Sequence, residues 1–236
     1  MFVKLKKKLH LIQNIYIKNN YLFSKKSYAM DGEDIAINDY VEIKNDGFYL
    51  DIGAHHPIQR NNTYLLFKRG WQGINIDVNE FSIDLFNFLR PKDINIQTAI
   101  SDKPGEITFY YQKDFSQLNT TEKKIAKQSF NNNFKEKNIK CETVNNILER
   151  SKFKDRQIDF LNIDIEGAEM KALNSLNFEK YSPKVICIEI LGYRDLDPLE
   201  REEKIKNDEI YLFLNNKGYK KVWSGVSYCS HLFIKS

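Results

Sequence analysis

The sequence predicts an α/β fold of the doubly wound type, and three observations carry that prediction. Short apolar runs recur along the chain, at Phe48–Ile52, Gly73–Val78, Ile94–Ile100, Phe160–Ile163 and Val185–Ile190. Stretches of helical periodicity separate them, the rhythm that builds a mostly parallel sheet with helices on both faces. Three of the runs lead into a carboxylate, at Asp77, Asp164 and Glu189. In such sheets the carboxyl ends of the strands form the ligand-binding edge. The 236 residues suffice for one such domain with a substantial core. Residues 1–45 are expected to form a helical extension and active-site cover, and 46–236 the α/β domain with a polar insertion near 112–140.

Taken in order, Leu5, Leu9, Ile12 and Tyr16 recur at helical spacing among lysines. Asp31-Gly32-Glu33-Asp34 is a polar entry to an apolar turn or helix through Ile35, Ile37 and Tyr40. Phe48–Ile52 is the first central strand, Asn61–Arg69 a helix stopped by Gly70, and Gly73–Val78 the second strand. Glu80–Leu89 carries Phe81, Leu85, Phe86 and Phe88 on a helix ended near Pro91. Ile94–Ile100 reads as one strand, and Ile107–Tyr111 as a short strand paired outside the parallel core. Residues 112–140 are rich in Asn and Lys, which fits either a flap beside a cleft or a surface insertion. Val144–Leu148 and Ala168–Leu176 read as helices around the strand Phe160–Ile163, Val185–Ile190 as the fifth parallel strand, and Glu209–Asn216 as the last helix. Tyr219–Trp223 and His231–Ile234 supply the terminal antiparallel elements.

Charge is unevenly distributed. Residues 1–26 hold seven lysines and no acid, so the net +4 of the chain leaves −3 for the remainder. That balance argues against a nucleic-acid surface across the domain. No apolar run is long enough to span a bilayer, and no cleavage site follows the basic start. Two readings of the first helix stand: a helix packed on the domain with its lysines in water, and weak peripheral association with a membrane surface. Cys141, Cys187 and Cys229 show no metal-ligand spacing and are compatible with a reducing compartment. The expected location is therefore cytoplasmic, with the inner face of a membrane as its other form. Packed and exposed helix faces read alike in sequence, so the oligomeric state stays open.

The first two strands suggest a ligand. Gly53 and Ala54 form a small-residue turn that lets backbone approach closely, and Asp77 ends the next strand where a carboxylate can accept ribose hydroxyls. Asp51 can orient an ammonium group, while Asp102, assisted by Ser101, can reach an adenine amino group. Gly53-Ala54-His55-His56-Pro57 lacks the successive glycines of a dinucleotide turn, and His55 and His56 would crowd a pyrophosphate.

With these motifs in place, the sequence resembles the FkbM family of S-adenosylmethionine-dependent methyltransferases, within the class I methyltransferase fold. The resemblance runs from about Tyr28 to Ile234. It rests on Asp31-Gly32-Glu33-Asp34, the strand ending at Gly53, Gly70-Trp71-Gln72-Gly73-Ile74-Asn75-Ile76-Asp77, Ala99 to Glu106, Asp159 to Glu169, and Lys184 to Ile190. It implies a seven-stranded sheet in order 3-2-1-4-5-7-6 with strand 7 antiparallel. It also implies methyl transfer to oxygen on carbohydrate or natural-product acceptors. Asp51 and Gly53 would surround the methionine part of the cofactor and Asp77 would contact its ribose. His55 stands where the general class I motif has a second glycine.

Such a cofactor brings its own electrophilic methyl, so the protein must align an acceptor and remove a proton from a hydroxyl. His56 is expected as base or acceptor-positioning residue, with His55 shaping the cofactor turn. Asp164 ends the fourth strand and can bind the cofactor amino group, orient a base or hold an acceptor hydroxyl. Glu166 lies two residues on and faces the same cleft if the strand stays extended. Asp164 and Glu189, with a histidine, can also ligate a divalent metal, although no local metal signature accompanies them. Tyr64 and Trp71 are candidate substrate surfaces that also fit a structural role, and Tyr193 and Arg194 are placed for a phosphate, carboxylate or sugar. The function expected is O-methylation of a sugar, glycan-linked or other small acceptor, with S-adenosylmethionine as cofactor and no nucleic-acid partner. An NAD-dependent oxidoreductase and a noncatalytic glycan-binding module are the alternatives.

Overall fold

A computed structural model of the chain describes residues 2–18, 26–113, 115–193, 195–227 and 229–236, with side chains from residue 5 onward. Arg194, a candidate anion contact, lies outside the described residues. Helix α1 (Phe2–Ile12) runs into a wider π-helical turn over Gln13–Ile17, and α2 (Glu33–Tyr40) leads to β1 (Phe48–Ile52). The first half then follows as α3 (Tyr64–Lys68), β2 (Gln72–Asp77), α4 (Glu80–Leu89) and β3 (Ile94–Gln97). A second group comprises β4 (Ala99–Ile100), β5 (Gly105–Tyr111), α5 (Lys123–Ser129), β6 (Lys135–Glu142) and α6 (Val144–Glu149). The remainder is β7 (Phe160–Ile163), α7 (Glu169–Asn174), β8 (Val185–Glu189), α8 (Pro198–Lys206), α9 (Glu209–Asn216), β9 (Tyr219–Ser224) and β10 (Ser230–Lys235).

Seven strands form one sheet in the order β3-β2-β1-β7-β8-β10-β9. Its pairings are parallel from β3 to β8, while β10 runs antiparallel to both β8 and β9. Counted within this sheet alone, the order is 3-2-1-4-5-7-6. The sequence expectation lacked a second sheet, in which β4, β6 and β5 pair in that order. The expected single strand over 94–100 divides at Thr98: β3 stays on β2, whereas Ala99 and Ile100 pair with Cys141 and Glu142 of β6. Residues 112–140 are accordingly not a plain surface loop, because they contain α5 and part of β6, the antiparallel partner of β5.

β1 lies between β2 and β7 and is buried at every position, which is why its sequence reads as an apolar run interrupted only by Asp51. The core on one face collects Phe48, Leu50, Ile52, Ile76, Leu161 and Ile163 against α6, α7 and α9. On the other face Tyr49, Phe160, Val185 and Leu232 meet Ile37 and Val41, so α2 packs into the domain. Trp71 belongs to this second cluster and donates from its indole N–H to the Lys44 carbonyl at 2.7 Å. Tyr64 is buried too, so both aromatics are structural and neither is a substrate surface. The helix expected over 61–69 shortens to α3 because Asn61 and Thr63 side chains are engaged in the preceding turn. Helix α8 was not anticipated, yet its signal is legible: Asp197 caps it by accepting from the Leu199 and Glu200 amides, and Pro198 occupies its first turn.

Candidate active site

Parallel pairing puts the carboxyl ends of β1, β2, β7 and β8 on one edge. Ile52 is level with Ile76 and Ile163, and Ile163 with Ile188, so Gly53, Asp77, Asp164 and Glu189 come out side by side. Gly53 has φ +83°, and a Cβ there would stand 1.7 Å from the Asp164 carbonyl oxygen. Glycine is thus required by a close backbone crossing as well as by the left-handed turn. His55 also takes a left-handed conformation, φ +50°, at the place where the general motif would have glycine.

Two cavities open along this edge. A cleft of about 750 Å³ is lined by Gly53, Asp77, Thr98, Ile100, Phe109 and Glu166, among others. A more polar cavity of about 510 Å³ is lined by Glu33, Asp51, Asn62, Asn162, Glu189 and Ser230, among others. Both are bounded by Gly53, His55, Gln117 and Asp164, so they meet at the mouth of the β1–β7 edge.

Asp77 is held by two backbone donors, the His55 amide at 2.8 Å and the Asn79 amide at 2.7 Å, one on each carboxylate oxygen. The Ser82 side chain adds a third favourable interaction with the carboxylate. Burial nonetheless pushes its carboxyl up to about 6. Asp51 is sequestered below the second cavity, accepting from Asn162 and Thr63 at 2.9 Å each and from Asn61 at 3.4 Å. Ala54 donates its amide to the Ile76 carbonyl and is buried. The His55 ring lies parallel to Phe115 at 4.5 Å, and burial, then the Arg60 charge, lower its pKa to about 4.

Three expectations require correction. His56 is buried and lines neither cavity; its Nδ1 accepts the Ile58 and Gln59 amides at 3.1 and 3.0 Å. It shapes the turn, with burial foremost among the causes that lower its pKa to about 3. Ser101 and Asp102 also lie outside both linings, Ser101 donating to Asp102 at 3.2 Å and Asp102 projecting into solvent. The chain turns away to the second sheet at this point, so Thr98, Ala99 and Ile100 wall the cleft instead.

Asp164, Glu166 and Glu189 each place one carboxylate oxygen within 4.8 Å of the other two. Asp164 reaches solvent through the cleft yet is crowded by protein, and its pKa rises through burial first and the neighbouring carboxylates second. Glu166 and Glu189 rise for the same reasons in the same order. Glu166 sits in a left-handed turn with Gly167, φ +54° and +99°, so the strand does not stay extended here. One buried oxygen of Glu189 has no hydrogen-bond partner. A charged amine or hydroxyl of a ligand would satisfy it.

Further residues complete the site, two of them from stretches the sequence marks: the polar entry at Asp31–Asp34 and the 112–140 stretch read as a flap or a surface insertion. Glu33 is buried, accepting from the Asp31 amide at 2.7 Å and the Ser230 hydroxyl at 3.0 Å. Phe115 to Thr121 roof the cleft, and Thr120 donates to the Glu166 carbonyl at 2.7 Å. Arg90 is fully buried behind the turn, donating to the Pro57 carbonyl, to Asn61 and Thr63 at 2.8 Å each, and to Tyr49 at 3.2 Å. Tyr193 donates to Asp208 at 3.0 Å and lines neither cavity.

The family described as Methyltransferase FkbM domain matches residues 51–221. No curated protein matches the chain in sequence. Among solved structures, the methyltransferase FkbM from Methylobacillus flagellatus KT shares 10% identity at a TM-score of 0.51, over 83% of this chain and 45% of that one. The chain therefore spans under half of that protein. A TehB-like SAM-dependent methyltransferase from Corynebacterium glutamicum gives 11% identity and a TM-score of 0.45, over 97% of this chain and 100% of that one. A SAM-dependent methyltransferase from Aquifex aeolicus gives 13% and 0.41, over 91% and 95%.

Proposed function

The chain belongs to the FkbM methyltransferase family, and from that premise we propose that it transfers a methyl group from S-adenosylmethionine to a hydroxyl of a sugar, glycan-linked or other small acceptor. One observation carries the reading: the two cavities meet at Gly53, His55, Gln117 and Asp164. In this proposal the cofactor occupies the larger cleft and the acceptor the polar cavity, with reaction at their junction. Bound S-adenosylmethionine supplies a sulfonium-activated methyl group.

Asp77 would accept the ribose hydroxyls, with Thr98, Ile100 and Phe109 around the base. The carboxylates of the polar cavity would hold the cofactor ammonium and the acceptor hydroxyls. Methylating a hydroxyl releases its proton, and Asp164, bordering both cavities, would take it. A carboxylate whose pKa is raised by burial and like charges is a stronger base than an ordinary one and still ionises near neutrality. Repulsion from Glu169, Glu33 and Asp51 would maintain that basicity, and a hydrogen bond with Glu189 would temper it. We place the reaction in the cytoplasm.

The three clustered oxygens are also a hard-cation donor set, and a divalent ion there would orient the acceptor hydroxyl. Magnesium titration after dialysis against a chelator separates the two forms: heat of binding lost in Glu189→Gln assigns a cation, and none assigns shared protons. The cofactor assignment is tested by calorimetry with S-adenosylmethionine, S-adenosylhomocysteine and NAD. Binding of the first two and not the third is expected. Binding of NAD alone, or of none by a folded protein, returns the oxidoreductase or glycan-binding reading.

A further inference from the structure

The sequence grouped Leu5, Leu9, Ile12 and Tyr16 as one apolar stripe, and the structure divides it, with Ile12 half-buried and Tyr16 against α4 while Leu5 and Leu9 face outward. Ile15 is completely buried, and Leu11 joins it against Leu85 and Phe88. On the same side Lys7 pairs with Asp84 at 2.6 Å, the His10 ring stacks on Phe81 at 4.8 Å, and Tyr16 meets Phe88 edge-on at 6.3 Å. These contacts fix α1 on α4. They leave Leu5 and Leu9, one turn apart, 54% and 56% exposed, with Ile17 67% exposed further along.

Lys6 and Lys8 beside the two leucines are exposed. No acid occurs in residues 1–26; Asp84 of α4 pairs with Lys7 on the packed side, and Glu80 of the same helix adds to the field there. We propose that the outward face of α1 docks on an anionic lipid surface, with Leu5 and Leu9 entering the headgroup boundary and Lys6 and Lys8 contacting the anionic headgroups. An apolar stripe bordered by lysines is the composition of an interfacial helix. Anionic lipid attracts each nearby lysine enough for roughly fivefold in partitioning. A second copy of this chain is a poorer occupant, because a two-fold contact would set these lysines against themselves. Among the described residues no helix is long and apolar enough to cross a membrane, so the attachment is peripheral. The inference goes beyond methyl transfer and stands on this face alone, so a protein that failed to bind S-adenosylmethionine would test it equally well.

The experiment is co-sedimentation of the full chain with vesicles of phosphatidylcholine alone or mixed with phosphatidylserine, beside sedimentation velocity without lipid. Expected are binding to the mixed vesicles only, its loss at about 1 M salt, where screening acts within about 3 Å, and at least about tenfold weaker binding for Leu5→Ser/Leu9→Ser. The double variant should keep the wild-type cofactor affinity and a melting temperature close to wild type, because both leucines are more than half exposed and lie outside the core clusters. Lys6→Glu/Lys8→Glu should abolish binding without touching the apolar stripe. Equal binding to both vesicle types, no binding to either, or unchanged binding by the variants overturns the proposal. So does a lipid-free dimer that the leucine substitutions dissolve, which would assign the face to a second copy.

Discussion

In the proposed cofactor site Asp77 would stay charged to accept ribose hydroxyls, yet it lies in a wall that disfavours charge. The folded protein holds its proton more tightly than the unfolded chain does, moving it from 3.8 to about 6. Lowering the pH from about 6 towards 4 therefore favours the folded state at this group. Above pH 6 the charge costs roughly 3 kcal/mol relative to an ordinary carboxylate. Ligand hydroxyls oppose that shift, so S-adenosylmethionine affinity should fall as the pH drops below about 6, measured by calorimetry across the range. Asp77→Asn should weaken binding by at least about tenfold, because its NH2 would face the His55 or Asn79 amide, a donor against a donor. The same reasoning separates His56 from Asp164. Removing His56 orphans the buried Ile58 amide and frees the more open Gln59 amide, and should cost about 1–3 kcal/mol of stability while leaving the shape of the pH–rate profile unchanged. Asp164→Asn should lower kcat by at least about 100-fold in a folded protein. Asp51, Gly53 and Asp77 were legible because each follows or interrupts an apolar strand run. Ser101 and Asp102 were misplaced because the departure to a second sheet at Thr98 leaves no mark in residue type.

At the scale of elements, the polar stretch after β5 is the part whose role composition concealed. Its Asn and Lys residues suggested exposure, yet Phe115 stacks on His55 and meets Phe81 edge-on at 5.3 Å. Thr120 and Gln117 tie the same segment to the Glu166 carbonyl and to Arg60. These contacts hold it across the cleft. Phe115→Ala should cost about 1 kcal/mol of stability by thermal melting. Calorimetry should show about five- to tenfold weaker S-adenosylmethionine binding, as the roof loosens over the cleft. Helices gave clearer signals where capping chemistry is local: Asn79 accepts from the Phe81 and Ser82 amides at the start of α4, and Thr143 from the Asn146 amide at α6.

Across the whole molecule, one buried cation ties the sheet to the site. Arg90 leaves the end of α4, passes beneath the turn after β1 and reaches Tyr49 within that strand, whose hydroxyl donates to Asp93 at 2.5 Å. Arg90→Met should destabilise the protein by about 3–5 kcal/mol in urea unfolding. It takes the guanidinium donor from the Pro57 carbonyl in a closed interior, while the Asn61 oxygen keeps its bonds from the Thr63 amide and hydroxyl. The sequence by itself determined the strands, the glycine turn and the acids at strand ends, because burial period and turn chemistry act between near neighbours in the chain. Tertiary structure alone decided that the carboxylate oxygens of Asp164, Glu166 and Glu189 come within 4.8 Å of one another, and that α1 turns Leu11 and Ile15 inward rather than Leu5 and Leu9. Those outcomes depend on register between strands far apart in sequence and on which face a neighbouring helix covers. The electrostatics of a site follow only once such distances exist, since desolvation and charge repulsion are set by surroundings and not by residue type.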